Sequence, residues 1–257
     1  MSYDPVARHK ETEARVIQKK VGGNLKKYSR FRHDRWYGGI ITADCVGCGL
    51  TCRFCWVRDE RLLSGESGED FFSAGQVAEI FLRMTMENKI RQVRISGGEP
   101  LIGRDHLLKI LTALQHKKIH FILETNAILL GEDETYAQDL ALFPFVHVRV
   151  SLKGASEEEF ARLTGADPKG FQVQLAGLNN LVKAGVSVHP AVMASFSGKE
   201  SLDKLYNLIW KINPRMQSEI EREEVILYPY VLEKLKAAGI RYYSGHKPEK
   251  THREKIS

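Results

Sequence analysis

"DCVGCGLTCRFCW", residues 44–56, holds every cysteine of the chain: Cys45, Cys48, Cys52 and Cys55. The spacing is C-x2-C-x3-C-x2-C on one short loop, directly after a β-branched run, "GIITA" (39–43). A structural zinc site usually draws two ligand pairs from segments set further apart, so that the tetrahedron can close. An iron–sulfur cube is larger, and a single loop can wrap it. The spacing therefore favours an iron–sulfur cluster, with zinc as the alternative. A disulfide framework suits small secreted chains and not one of 257 residues.

Outward from the loop, short β-branched runs alternate with stretches of helical periodicity. The predicted strands are 39–43, "RQVRIS" (91–96), "IHFILE" (119–124), "FVHVRVS" (145–151), "VSVHPAVM" (186–193) and "EVILYP" (224–229). Between them, Val77, Ile80, Phe81 and Met84 share one helix face. Leu107, Ile110, Leu111 and Leu114 share a second, and Leu202, Leu205, Tyr206 and Ile209 a third. Ser73 with Gln76 and Ser156 with Glu159 read as capping boxes, and Gly185 as a helix stop. Strand–helix alternation implies right-handed crossovers and a parallel sheet. Eight units of a complete barrel take about 250 residues. Six units in roughly 200 residues therefore predict an α/β fold, a partial (β/α)6 TIM-type barrel with outer helices, over a flat doubly wound sheet. In either architecture the chemistry belongs at the carboxyl ends of the strands.

The composition, 43% hydrophobic and 27% charged, is that of an ordinary globular protein. No apolar run reaches the roughly 18–20 residues of a membrane span. The N-terminus lacks the apolar region of a signal peptide, so a cytoplasmic protein with reduced thiols is expected. Residues 1–35 carry ten Lys/Arg against four Asp/Glu, and residues 239–257 five against two. These read as a basic, solvated N-terminal helical extension (1–35) and a basic tail (239–257) around a core (36–238). A nucleic-acid contact by the aromatic and basic N-terminal segment is the less favoured reading.

"RISGGEP" (94–100) ends the second strand. Gly97 and Gly98 allow close backbone approach, and Glu99 offers a carboxylate to a cation. "LETNA" (123–127) ends the third strand. "VRVSLKG" ends the fourth, placing Ser151 and Lys153 on one face. His189, in the fifth strand, reads as a packing residue.

Cys48-x3-Cys52-x2-Cys55, with Phe54 in the aromatic slot, resembles the signature of the radical S-adenosylmethionine superfamily. The Gly97-Gly98-Glu99-Pro100 turn is similar to that family's Gly-Gly-Glu-Pro motif. "LETNA" and "ILYPYVLEKL" look like segments of its glycyl-radical-activating branch, which includes the pyruvate formate-lyase activating enzymes. Ala127 stands in a glycine slot and Val231 in a histidine slot, so that histidine's adenosine contact is not carried over.

The resemblance implies a [4Fe–4S] cluster on Cys48, Cys52 and Cys55, with the fourth iron chelated by the methionine moiety of S-adenosylmethionine. It implies cofactor contacts from Phe54, Gly97, Gly98 and Glu99, and from Glu124, Thr125, Ser151 and Lys153. By the same resemblance Cys45 stands off the cluster, as a packing residue or, failing that, a catalytic hydrogen-atom donor or redox thiol. The implied activity is that of an oxidoreductase. An electron from a flavodoxin- or ferredoxin-type donor cleaves S-adenosylmethionine, and the 5′-deoxyadenosyl radical takes a hydrogen atom from a protein glycine or a small metabolite. A non-catalytic iron–sulfur electron carrier and a nucleic-acid-modifying radical enzyme are the rival readings. The Gly-Gly-Glu-Pro turn speaks against the carrier, which has no use for an ammonium-binding turn. The absence of a second cysteine cluster leads to the expectation of a single-cluster, minimal enzyme.

Overall fold

The protein is described here from a computed structural model, covering residues 2–63 and 70–248. Helix α1 (Pro5–Val16) starts at Asp4, whose carboxylate accepts from the amides of Val6 and Ala7, with Pro5 in the first turn where no amide is needed. Strands β1 (Ile17–Gln18) and β2 (Leu25–Asp34) follow, then β3 (Ile40–Cys45), α2 (Asp59–Leu63) and β4 (Asp70–Ser73). From there the chain alternates: α3 (Ala74–Asn88), β5 (Gln92–Gly97), α4 (Arg104–Leu114), β6 (His120–Thr125), α5 (Ile128–Glu132), α6 (Glu134–Ala141), β7 (Val146–Leu152), α7 (Glu157–Thr164), α8 (Gly170–Lys183), β8 (Ser187–Met193), α9 (Lys199–Ile212), β9 (Glu221–Glu223) and α10 (Pro229–Ala237).

The sheet order is β1-β2-β3-β5-β6-β7-β8-β9, with β4 on the free side of β2. Strands β3, β5, β6, β7, β8 and β9 are parallel, each beside its predecessor, so six β/α units form an open barrel of the expected TIM type. Among the described residues, no helix is long and apolar enough to cross a membrane.

Register separates the two faces. Ile41, Ala43, Val93, Ile95, Phe121, Leu123, Val148 and Val150 lie in one layer under the helices and belong to the main hydrophobic core. The alternate positions line the concave face and are polar: Thr42 beside Arg94, Asp44 beside Ser96, Glu124 beside Arg149, and Arg149 beside His189. Parallel strands covered on both faces are usually apolar throughout. Alternate charges in these strands mark an interior that is not an apolar core.

Two expectations about elements are corrected. Residues 1–35 are not a helical extension: among the described residues of this segment only 5–16 are α-helical, and 25–34 form a strand antiparallel to β3. The strand forms because its alternation has two uses. Lys26 and Tyr28 are buried toward the core, while Arg30 and Arg32 pair with Asp44, at 2.6 and 3.0 Å, on the other side of a bulge. The basic charge is thus partly spent inside the fold.

The sixth strand is Glu221–Glu223, not 224–229. Glu221 and Glu223 face the interior, whereas Val225 is buried and bonds through its amide to Ser195 Oγ, and Pro229 opens α10. Of the basic tail, residues 249–257 lie outside the described residues.

The Ser73–Gln76 capping box is complete in both directions. At Ser156 only half of the box exists, because Glu159 turns to the amide of Ala155 and to Ser197. Gly185, at φ 75°, follows the end of α8 as expected.

Candidate active site

The cysteine loop leaves β3 at the carboxyl ends of the strands and is locked to the turn after β5. Gly98 N–H donates to Cys45 O at 2.8 Å, and Glu99 N–H donates to Gly47 O at 2.6 Å. A Cβ on Gly98 would lie 2.3 Å from Gly47 O, and one on Gly97, which has φ 89°, 2.9 Å from Cys45 O. The two glycines are therefore required by the cysteine loop itself, which packs backbone to backbone against them.

All four cysteines are free thiols. Cys45 is fully buried on the helix-facing side of β3, next to Tyr28 in register, and belongs to the apolar core. Burial pushes its thiol up to about 11, with the Lys26 ammonium pulling the other way. Cys48, Cys52 and Cys55 follow on the loop. Cys48 Sγ accepts from Leu50 N at 3.4 Å and from Asn126 Nδ2 at 3.6 Å, and Cys55 Sγ accepts from Val57 N at 3.4 Å. Burial raises all three thiols, Cys52 to about 12, although Lys153 and Lys234 favour its thiolate. A metal displaces such protons on binding, and the nearby cations and N–H donors then stabilise the thiolates. Phe54 is buried in front of Cys55 with its ring 5.5 Å from that of Phe196.

The remaining predicted residues separate into two groups. Glu99 and Thr125 are buried together at the turns. Glu99 Oε1 accepts from Thr125 Oγ1 at 2.7 Å and from Leu101 N at 3.1 Å, and Glu99 Oε2 accepts from Asn126 N at 2.9 Å. The carboxylate thus ties the turn after β5 to the turn after β6.

Glu124 instead faces the barrel interior. It accepts from Arg94, Ser96 and the hydroxyl of Tyr37, at 2.8, 3.1 and 2.9 Å. Ser151 lies on the same interior face, donating to Glu223 at 3.0 Å and accepting from Lys153 Nζ at 2.6 Å. Lys153 is the member of this group that acts electrostatically on Cys52 and Cys55.

His189 is not a packing residue, because its ring faces the interior in a polar chain. His147 and His189 bond to each other at 2.6 Å, and His189 Nε2 lies 3.3 Å from Glu221. With Arg149 also on it, Glu221 is held down at about 2. Ala127, in the slot where the resembled motif has glycine, adopts φ 61°, in the left-handed region that favours glycine. Val231 is fully buried in the core.

Three residues of ordinary type complete the site. Lys26, buried, donates to the carbonyls of Glu99, Pro100 and Ile102 at 3.1, 3.0 and 2.7 Å and so fixes the far end of the turn. Asn126 connects Cys48 to α1, since its Nδ2 is 3.2 Å from His9 Nε2. His9 Nδ1 donates to Pro5 O at 2.6 Å, which makes Nε2 the acceptor and the ring neutral. Burial, lowering the His9 pKa, favours the same form. Asn126 lies in the LETNA motif without having been singled out, and no motif pointed to Lys26 or His9. The one available signal was a histidine placed on the apolar side of a short polar helix.

An open parallel barrel with a cysteine loop at the carboxyl ends of its strands places three thiols where the chemistry of such barrels is done. Residues 44–209 match the Radical SAM superfamily, and the chain belongs to it. A GTP 3′,8-cyclase of Helicobacter pylori (strain HPAG1) is 28% identical over 162 residues, 62% of this chain and 48% of that protein. The chain thus spans about half the length of that relative. A pyruvate formate-lyase-activating enzyme of Clostridium pasteurianum is 28% identical over 189 residues, 71% of this chain and 72% of that protein. Streptococcus suis SuiB bound to S-adenosylmethionine has the same fold, with a TM-score of 0.57 at 18% identity over 80% of this chain and 49% of that one.

With the family come its cofactors, a [4Fe–4S] cluster and S-adenosylmethionine. The residues present fit them. Of the three thiols on one loop, Cys48 and Cys55 carry amide donors of the kind that serve cluster sulfurs, and two lysines offset the charge at Cys52.

Proposed function

We propose that this protein cleaves S-adenosylmethionine reductively and removes a hydrogen atom from a backbone glycine of a partner protein. Cys48, Cys52 and Cys55 hold the cluster in this reading, and Cys45 stays in the core. Bound there, the cluster and S-adenosylmethionine supply one-electron chemistry fed by an external flavodoxin- or ferredoxin-type donor, in a reducing, cytoplasmic setting. The chain supplies position. The turn at Gly97, Gly98 and Glu99 presents backbone groups to the methionine ammonium, and the buried Glu99 carboxylate holds that turn in place and adds its negative charge behind it. Lys153 is placed to meet the methionine carboxylate, and Phe54 keeps water from the last cysteine.

The observation that carries this reading is the pair of backbone bonds joining the cysteine loop to the Gly-Gly-Glu turn. A simple electron carrier does not need that coupling. Two observations support the protein glycine. The match to the activating enzyme covers most of both chains. The interior guanidiniums of Arg94 and Arg149 are already engaged by Asp34, Glu124, Glu221 and Glu223, which leaves them committed against a polyphosphate.

The test is anaerobic turnover. Wild type and Cys45→Ala, loaded with iron and sulfide and reduced, are expected to form 5′-deoxyadenosine from S-adenosylmethionine, and Cys52→Ala none. No nucleoside from a fully loaded wild type would leave the electron-carrier reading standing. Consumption of added GTP coupled to 5′-deoxyadenosine would replace the protein glycine with a nucleotide.

A further inference from the structure

Tyr230, in the first turn of α10, is the residue whose state the protein alone does not explain. Its hydroxyl oxygen is shut off from solvent and has no hydrogen-bond partner among the described residues. A buried, unpaired hydroxyl is costly, and native proteins keep one where something outside the polypeptide pairs with it. The ring is not free to turn away. It stacks on Tyr228 with centroids 6.1 Å apart and planes 18° apart, and the Arg58 guanidinium lies 5.5 Å from its centroid on the cysteine loop side. Pro229 fixes the backbone just before it.

Burial raises the phenol's pKa. Among the groups around it, Cys55 acts on it most strongly, ahead of Tyr228, Arg58 and Asp59. The hydroxyl is a neutral donor that no cysteine sulfur accepts from, on a helix held to the cysteine loop by Lys234 Nζ, which donates to Cys52 O at 3.1 Å.

We propose that the Tyr230 hydroxyl donates a hydrogen bond to a sulfur of the iron–sulfur group held by Cys48, Cys52 and Cys55, and so makes that group easier to reduce. This rests on the cysteine assignment above. Reduction adds negative charge to the cluster, and a donor to one of its sulfurs stabilises the more negative form. The same bond removes the cost of the orphaned hydroxyl, so the residue has opposite effects in the empty and loaded protein. Empty, Tyr230 is a liability. Loaded, it is a contact.

The experiment compares wild type, Tyr230→Phe and Tyr228→Phe, each empty and after anaerobic loading with iron and sulfide. Iron and sulfide content, thermal unfolding and a redox titration followed by absorbance are recorded. Tyr230→Phe is expected to load as wild type does and to unfold at or above the wild-type temperature when empty. At a fixed potential its ratio of reduced to oxidised cluster should fall about three- to tenfold, a shift of ~30–60 mV to more negative potential for one electron. Tyr228→Phe should leave the potential in place. A fully loaded Tyr230→Phe with the wild-type potential overturns the inference and leaves the cysteine assignment intact. Failure of wild type to bind a four-iron cluster overturns that assignment, and this inference with it.

Discussion

Replacing Gly49 with alanine would place the new methyl 2.1 Å from His9 Nδ1, 2.4 Å from Cγ and 2.6 Å from Cε1. Ordinary carbon contacts begin near 3.5 Å, so the imidazole would have to retreat by roughly 1 Å. It has little room to do so, being 1% exposed and bonded at both nitrogens, to Pro5 O and to Asn126 Nδ2. Losing two hydrogen bonds costs ~2 kcal/mol, and overpacking adds ~1 kcal/mol or more, which makes the single substitution worth ~3 kcal/mol. His9→Ala alone costs ~2 kcal/mol for the same two bonds. In the double variant, the methyl occupies space that the ring has vacated. The pair should therefore cost close to His9→Ala alone, not ~5 kcal/mol, with a coupling of ~3 kcal/mol. Urea unfolding of the four empty proteins measures it. Additivity within ~0.5 kcal/mol would refute the argument that α1 clamps the cysteine loop through this ring.

Lys26→Met should lower stability by roughly 3 kcal/mol, because three buried carbonyls lose a charged donor. A change under ~1 kcal/mol in the urea titration would mean that the turn does not depend on it. In Gly98→Ala the clash is with backbone, Gly47 O at 2.3 Å, so no rotamer relieves it. Iron and sulfide bound per chain should drop severalfold, and full loading would contradict the packing described. His106 and His147 are held near 4 in the folded protein by burial, against 6.5 for a free imidazole. The unfolded chain then binds more protons below pH 6.5, so stability is complete above that value and declines as pH falls through 4. The His106 share is at most ~3 kcal/mol, and that of His147 is smaller because water reaches it. A urea midpoint that is flat from pH 7 to 4, or a His106→Gln variant with an unchanged slope, would remove this account.

Much of the frame was legible because its signals are local. Five parallel strands fall within a residue or two of the β-branched runs, and the cysteine loop and Gly-Gly-Glu turn announce themselves by spacing. The sixth strand was misplaced because Glu221 and Glu223 carry the polarity of the barrel interior, which a search for apolar strands passes over. Strand β2 was hidden for the same reason: Arg30 and Arg32 look solvated in sequence and are paired with Asp44 in space. His9 and Asn126 lie 117 positions apart, and Lys26 lies 73 from Glu99. No periodicity connects residues at that range. Glu124 was grouped with Thr125 as neighbours in one motif, yet adjacent strand residues point to opposite faces, and the two serve different networks.

The central claim is that Cys48, Cys52 and Cys55 hold a cluster with one iron open to S-adenosylmethionine, while Cys45 does not take part. Electron paramagnetic resonance of the reduced, loaded protein, before and after adding S-adenosylmethionine, tests it most directly. The account predicts a spectrum of a reduced four-iron cluster that changes on addition, identically in wild type and Cys45→Ala. A spectrum indifferent to S-adenosylmethionine, or a Cys45→Ala protein without the cluster, would contradict it.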